Sequence, residues 1–139
     1  SYTQGMYMLK RASDSHGWGL DLGEVSRIWK GGCIIRSWYL LDRIKRAWLR
    51  NPQLPNLLLD EEFATEVSRR QAAWRRVIGL GVQNGIPTPA MSASLAYFDT
   101  YRTGRLPANL IQAQRDLFGA HTFQRIDRPG DFHVEWSQG

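Results

Sequence analysis

The 139-residue chain contains one cysteine, three lysines and no long apolar segment. Because Cys33 is the only cysteine, no disulfide can form within the chain, and a reducing, cytoplasmic location is expected. No apolar run approaches the roughly 20 residues that a membrane-spanning helix needs. The first residues also lack the charged and apolar regions of a secretory signal. These absences predict a soluble globular domain that makes no membrane contact.

Several catalytic and ligand-binding motifs are absent as well. The chain has no Gly-x-Gly-x-x-Gly turn after a strand, no phosphate-binding P-loop and no Gly-x-Ser-x-Gly nucleophile turn. Its three histidines and one cysteine do not have the spacing of zinc ligands. We therefore expect no catalytic residue, no bound cofactor and no metal ion on this chain.

The net charge of +5 comes from arginine, because fifteen arginines accompany only three lysines. Such a charge suits nucleic acid, which is bound through its phosphates, or a small phosphorylated anion that is drawn towards a site. The arginines are scattered, alternate with acidic residues and form no run longer than a pair. This pattern is typical of solvated helix faces, so we expect no nucleic-acid partner.

Helical periodicity and the positions of glycine and proline predict an all-α fold. An all-helical domain is expected over residues 1–118, followed by an extended tail over residues 119–139 with a weak strand signal at 132–136. Asp60 is expected to cap a helix whose apolar residues, from Phe63 to Val82, lie inside. The predicted helices cover residues 2–16, 24–30, 33–50, about 60–82, 92–101 and 107–117.

Arg115 and His121 lie on either side of a Phe-Gly-Ala corner. A guanidinium can hold two oxygens of a phosphate or carboxylate in a planar fork, and an imidazole can add a third hydrogen bond. On spacing alone, the favoured alternatives are that Arg115 pairs with Asp116 or with a helix end, and that His121 caps a carbonyl at the surface. Gln112 can orient Arg115 from one helical turn away, although a purely structural role is the favoured interpretation.

The amino-acid sequences of several segments indicate a protein family more specifically than the spacing of Arg115 and His121 does. Residues 106–123 read LPANLIQAQRDLFGAHTF, and residues 31–37, 81–87 and 132–136 read GGCIIRS, GVQNGIP and FHVEW. Together with residues 1–5, 51–52 and 56–59, they resemble the C-terminal part of the decarboxylating 6-phosphogluconate dehydrogenases, in unbroken order along the chain.

This resemblance implies the second half of the family's helical C-terminal domain, with its extended C-terminal tail. The parent enzyme would oxidise 6-phosphogluconate with NADP and decarboxylate the product to ribulose 5-phosphate, in the pentose phosphate pathway. Arg115 and His121 match the Arg and His that the family places on the sugar phosphate. In the family, they reach the substrate bound to the other subunit of a homodimer.

The resemblance also implies what this chain would lack. The NADP-binding domain and the Lys and Glu that act as base and acid lie upstream in the family, so the chain alone is expected to be inactive. The alternative is a non-catalytic helical scaffold or binding module that is derived from the same domain.

Overall fold

The computed structural model describes residues 1–34 and 36–136. In this part of the chain six α-helices are followed by two short strands, with a 3₁₀ turn at Leu57–Leu59. Contacts divide the chain into two compact units, Ser1–Ser94 and Leu95–Gly139. The elements are α1 (Tyr2–His16), α2 (Leu22–Gly32), α3 (Trp38–Arg50), α4 (Glu61–Gln83), α5 (Pro89–Arg102), α6 (Asn109–Gly119), β1 (Phe123–Gln124) and β2 (Asp131–Phe132).

Local capping explains where the helices of the first unit begin and end. The α1 helix ends at Gly17, which adopts a left-handed conformation (φ 66°) and donates its N–H to the carbonyl of Ser13. Asp60 accepts a hydrogen bond from the N–H of Phe63 and so caps the start of α4. The predicted end of the first helix and the predicted cap at Asp60 are both confirmed.

The predicted start of the third helix at Cys33 is wrong. The α3 helix begins at Trp38, because the extended Ser37 accepts a hydrogen bond from the N–H of Leu40 and acts as its N-cap. Ile34, which was expected within the helix, is 98% exposed. Ile35 lies outside the described residues.

The core of the first unit lies mainly on α3, which packs against α2. Ile44, Ala47 and Trp48 of α3 are buried, whereas Tyr39 is 72% exposed. The buried apolar residues of this core are Met6, Leu22, Leu41, Ile44, Ala47, Trp48, Leu54 and Leu57.

The α4 helix does not have the buried interior that its apolar spacing predicts. Among its described residues only Gly81 is buried, while Val77 and Val82 are 50% and 71% exposed. The periodicity is that of an amphipathic helix, but the described chain covers the apolar face only in part.

The second unit contains α6 and an antiparallel strand pair in which Phe123 lies opposite Phe132. Their rings are 6.2 Å apart. The predicted strand at 132–136 is shorter and earlier than expected, because His133 and the backbone of Val134 hydrogen-bond to α6 instead of extending the ladder. The α6 helix ends at Gly119, and contacts group it with the tail. The division into residues 1–118 and 119–139 stays a prediction.

Candidate anion-binding site

Three polar residues lie on one face of α6, because Gln112, Arg115 and Asp116 are spaced at i, i+3 and i+4. Arg115 is exposed, and its Nη1 donates a hydrogen bond to Oε1 of Gln112 at 3.0 Å. Asp116 is fully buried and accepts its hydrogen bonds from the tail and not from Arg115. The predicted alternative of an Arg115–Asp116 pair is therefore wrong.

The corner after α6 brings the His121 ring back over the end of the helix. A Cβ added to Gly119 would lie 3.0 Å from Nε2 of His121 and 3.1 Å from its Cδ2. Glycine thus permits the close approach of the imidazole. The residue in the left-handed conformation is Ala120 (φ 49°), whose N–H donates to the carbonyl of Asp116. His121 itself is exposed.

Asp116 connects this corner to the end of the tail. Its Oδ1 accepts from the N–H of Thr122 at 3.0 Å and lies 2.8 Å from Nδ1 of His133. Its Oδ2 accepts from the N–H of Val134 and from Nε1 of Trp136, both at 3.0 Å. Four partners fill the acceptor positions of one carboxylate. We call this arrangement of Asp116, Thr122, His133, Val134 and Trp136 the tail clasp.

The ionisation of the tail clasp follows from these contacts. Burial raises the pKa of Asp116, but the hydrogen bonds from His133, Val134 and Trp136 outweigh burial and lower the pKa to about 2. The hydrogen bond to Asp116 raises the pKa of His133 above its usual 6.5. At pH values at which His133 is protonated, His133 and Asp116 form an ion pair. The opposite charges then strengthen the hydrogen bond between the two side chains.

Sequence reasoning missed the tail clasp. The sequence pairs Asp116 with Arg115 and places His133 within the predicted strand at 132–136. One available signal was the position of Asp116 in the last turn of α6, where the helix dipole disfavours a negative charge unless specific donors neutralise it. Within residues 1–34 and 36–136, no group of three or more His, Cys, Asp or Glu side chains is placed to hold a metal ion.

Arg115 and His121, the two predicted ligands, both have side chains that can bind an anion. Both are exposed, and a guanidinium supplies a planar fork of donors to phosphate oxygens. The end of α6 carries the negative pole of its dipole, so anion binding at this place depends on side chains and not on the helix backbone. A groove of about 510 Å³ nearby is lined by Gln112, Phe123 and Trp136 among others, but Arg115 and His121 do not line it.

The described residues define a class of protein: a helical domain whose C-terminal tail is hydrogen-bonded to its last helix. The family model described as "6-phosphogluconate dehydrogenase, C-terminal domain" matches residues 1–136. The chain belongs to this family. The predicted resemblance and the predicted all-α fold are both confirmed.

Similar proteins agree with this assignment. The chain is 64% identical over 138 residues to "6-phosphogluconate dehydrogenase, decarboxylating 3, chloroplastic" of Arabidopsis thaliana, covering 99% of this chain and 28% of the relative. It is 58% identical over 136 residues to a decarboxylating 6-phosphogluconate dehydrogenase of Synechococcus elongatus, covering 98% of this chain and 29% of that protein. The chain thus spans less than a third of these relatives.

A solved structure shows the same fold. A Plasmodium falciparum 6-phosphogluconate dehydrogenase superposes with a TM-score of 0.87 at 48% identity, covering 98% of this chain and 29% of that one. That protein is described in its apo form and in complexes with its cofactor NADP⁺ and its substrate 6-phosphogluconate.

The described residues do not form the usual binding site for a dinucleotide pyrophosphate. The two strands found in them form one short antiparallel pair, and no helix follows β2 in the described part. The strand, glycine-rich turn and helix that cradle a pyrophosphate therefore do not occur here. In the same residues, every helix is too short or too polar to cross a bilayer.

Proposed function

We propose that this chain forms the substrate-phosphate-binding and dimer-forming part of an NADP-dependent, decarboxylating 6-phosphogluconate dehydrogenase. The reaction would convert 6-phosphogluconate to ribulose 5-phosphate, in gluconate utilization and the pentose phosphate pathway. The observation that carries the proposal is the pair of exposed cationic or donor side chains, Arg115 and His121, around the corner that ends α6.

Within this proposal, Arg115 binds two phosphate oxygens through its guanidinium, and His121 donates to a third. Each charge-assisted hydrogen bond of this kind contributes about 1.5–3 kcal/mol. The phosphate does not react, so its binding energy serves to position the carbon atoms that do. Since the described residues offer no dinucleotide cradle, NADP would be bound by the family's upstream domain, together with the proton-transferring groups.

The proposal includes assembly and location. Residues 1–118 would form the helical domain, and the tail at 119–139 would carry His121 to the substrate site of the second subunit in a homodimer. The cytoplasmic location stays a prediction, because several similar plant proteins are named as chloroplastic.

A chimaeric enzyme tests the proposed function. This chain would replace the matching C-terminal part of the Arabidopsis relative, and NADPH formation would be followed with 6-phosphogluconate. We expect turnover by the chimaera and none by the 139-residue chain alone. A folded chimaera without turnover would support the non-catalytic scaffold, and turnover by the chain alone would contradict the assignment of catalysis to the upstream part.

A further inference from the structure

We propose that Gln112 is a positioning residue that couples Arg115 to the His121 corner, an inference that rests on the proposed phosphate site. Gln112 is half-buried on α6. Its Oε1 accepts from Nη1 of Arg115 at 3.0 Å, and its Nε2 donates to the carbonyl of Thr122 at 2.5 Å. One carboxamide therefore joins the guanidinium to the residue that follows His121.

The two partners leave only one orientation for this amide. Arg115 can only donate hydrogen bonds and the carbonyl of Thr122 can only accept them. Of the amino acids with a side chain of this length, glutamine alone has one acceptor and one donor at its end. A glutamate would lose the donor, and a methionine would lose both groups.

The backbone that Gln112 holds is strained. Ala120 and Thr122 both have positive φ, 49° and 58°, which L-residues with a Cβ adopt rarely. Such conformations persist where surrounding contacts over-determine them. At Thr122 the contacts come from α6, because Asp116 accepts its N–H and Gln112 donates to its carbonyl. His121 lies between Ala120 and Thr122, so the backbone on both of its sides is held in a fixed conformation.

This arrangement has a consequence for binding. An arginine side chain has many rotamers, and immobilising it on a ligand costs entropy. The contact with Gln112 fixes Arg115 before the ligand arrives, and the same amide fixes the corner that carries His121. Gln112 thereby reduces the ordering that phosphate binding would otherwise require, without touching the phosphate.

The chimaeric enzyme provides the test. Gln112→Met keeps the side-chain length and removes both hydrogen bonds. We expect the KM for 6-phosphogluconate to rise on the order of tenfold, while kcat and the KM for NADP change by less than about twofold. Gln114→Met on the same helix is the matched control, because Gln114 is exposed, and its KM should stay at the wild-type value.

A double-mutant cycle separates positioning from a merely structural role. If Gln112 acts through Arg115, Gln112→Met should raise the KM far less in an Arg115→Met background than in the wild type. Gln112→Asn retains the amide but is one methylene too short to reach both partners. It should raise the KM while the chimaeric enzyme stays folded, and circular dichroism checks the fold, which keeps the test valid if Gln112→Met folds poorly.

The outcomes distinguish this inference from the proposed function. If Arg115→Met leaves the KM unchanged, the phosphate site itself is wrong. If Arg115→Met raises the KM but both Gln112 variants behave like Gln114→Met, the positioning role is wrong. Additive effects of Gln112→Met and Arg115→Met would also overturn the coupling.

Discussion

At the residue scale, Asp116 shows how one buried carboxylate holds an irregular segment of chain. Its partners in the tail lie 17, 18 and 20 residues further along the sequence. Removing any of these donors would leave part of a buried charge without a partner, which costs more than the hydrogen bond contributes. The tail clasp therefore fixes both the tail and, through Thr122, the corner with His121.

The tail clasp should depend on pH with a defined sign. The pKa of His133 is raised in the folded state, so its stabilising contribution is present in full below 6.5 and is lost as pH rises through the raised value. The pKa of Asp116 is lowered from 3.8 to about 2, so its contribution is lost as pH falls through that interval. We expect the slowest hydrogen exchange at Val134 near pH 5 to 6, after correction for intrinsic rates, and weaker protection above neutral pH.

A matched variant checks the cause of this pH dependence. His133→Gln retains a donor for Asp116 but cannot be protonated, so the protection of Val134 should become independent of pH between 5 and 9. His16→Gln serves as the control, because His16 lies in the other compact unit and stacks on Trp18. An unchanged pH profile in His133→Gln would contradict the account.

How much of this site the sequence predicts depends on the range of the contacts. Arg115 and His121 could be predicted, because they are close in sequence and lie in a segment whose amino-acid sequence resembles that of a known family. Their substrate-binding role remains a prediction. The contacts of Asp116 with His133 and Trp136 could not be predicted, because local periodicity does not indicate which distant residues meet. The bridge through Gln112 also depends on the positive φ of Thr122, which a threonine does not predict.

At the element scale, the helix ends that local chemistry determines were predicted best. The end of α1 at Gly17 and the cap of α4 at Asp60 follow from single residues. The start of α3 was misplaced because apolar spacing continues from Ile34 while the capping geometry begins at Ser37. Spacing also overstated the burial of α4, since periodicity shows which face is apolar but not what covers it.

Asp60 contributes to stability in two ways, as a helix cap and as an ion-pair partner, and substitutions can separate the two. Its side chain caps α4 through the N–H of Phe63, and Oδ1 of the same carboxylate lies 2.8 Å from Nη2 of Arg50. Asp60→Ala removes both and should lower the free energy of unfolding by roughly 1–2 kcal/mol. Asp60→Asn keeps a good capping group and loses the ion pair, so it should lose well under half as much.

Urea unfolding of the chain, followed by circular dichroism, measures this difference. Arg50→Met removes the ion pair with Asp60 and also a contact with Glu62, so it should lose at least as much as Asp60→Asn. Equal losses for Asp60→Asn and Asp60→Ala would mean that the ion pair, and not the cap, accounts for the contribution of Asp60.

At the scale of the whole molecule, each of the two compact units exposes large apolar residues. Val82, Leu110 and Phe118 are 71%, 72% and 83% exposed in the described chain. Exposed apolar area of this kind is typical of a surface that is covered on association. Sedimentation at micromolar concentration should therefore show a species heavier than the 16.0 kDa monomer. A monomer with a fully protected tail would mean that the tail needs no second subunit.

The proposed function depends above all on Arg115, through which the domain would bind the substrate phosphate. Its most direct test is the KM for 6-phosphogluconate of the chimaeric enzyme with Arg115→Met, beside Arg11→Met, which removes the same charge from an exposed position in the other unit. Arg115→Met should raise the KM by roughly 10- to 150-fold, the equivalent of about 1.5–3 kcal/mol. Arg11→Met should leave the KM within about twofold of the wild-type value. Equal KM values for the two variants would contradict the account.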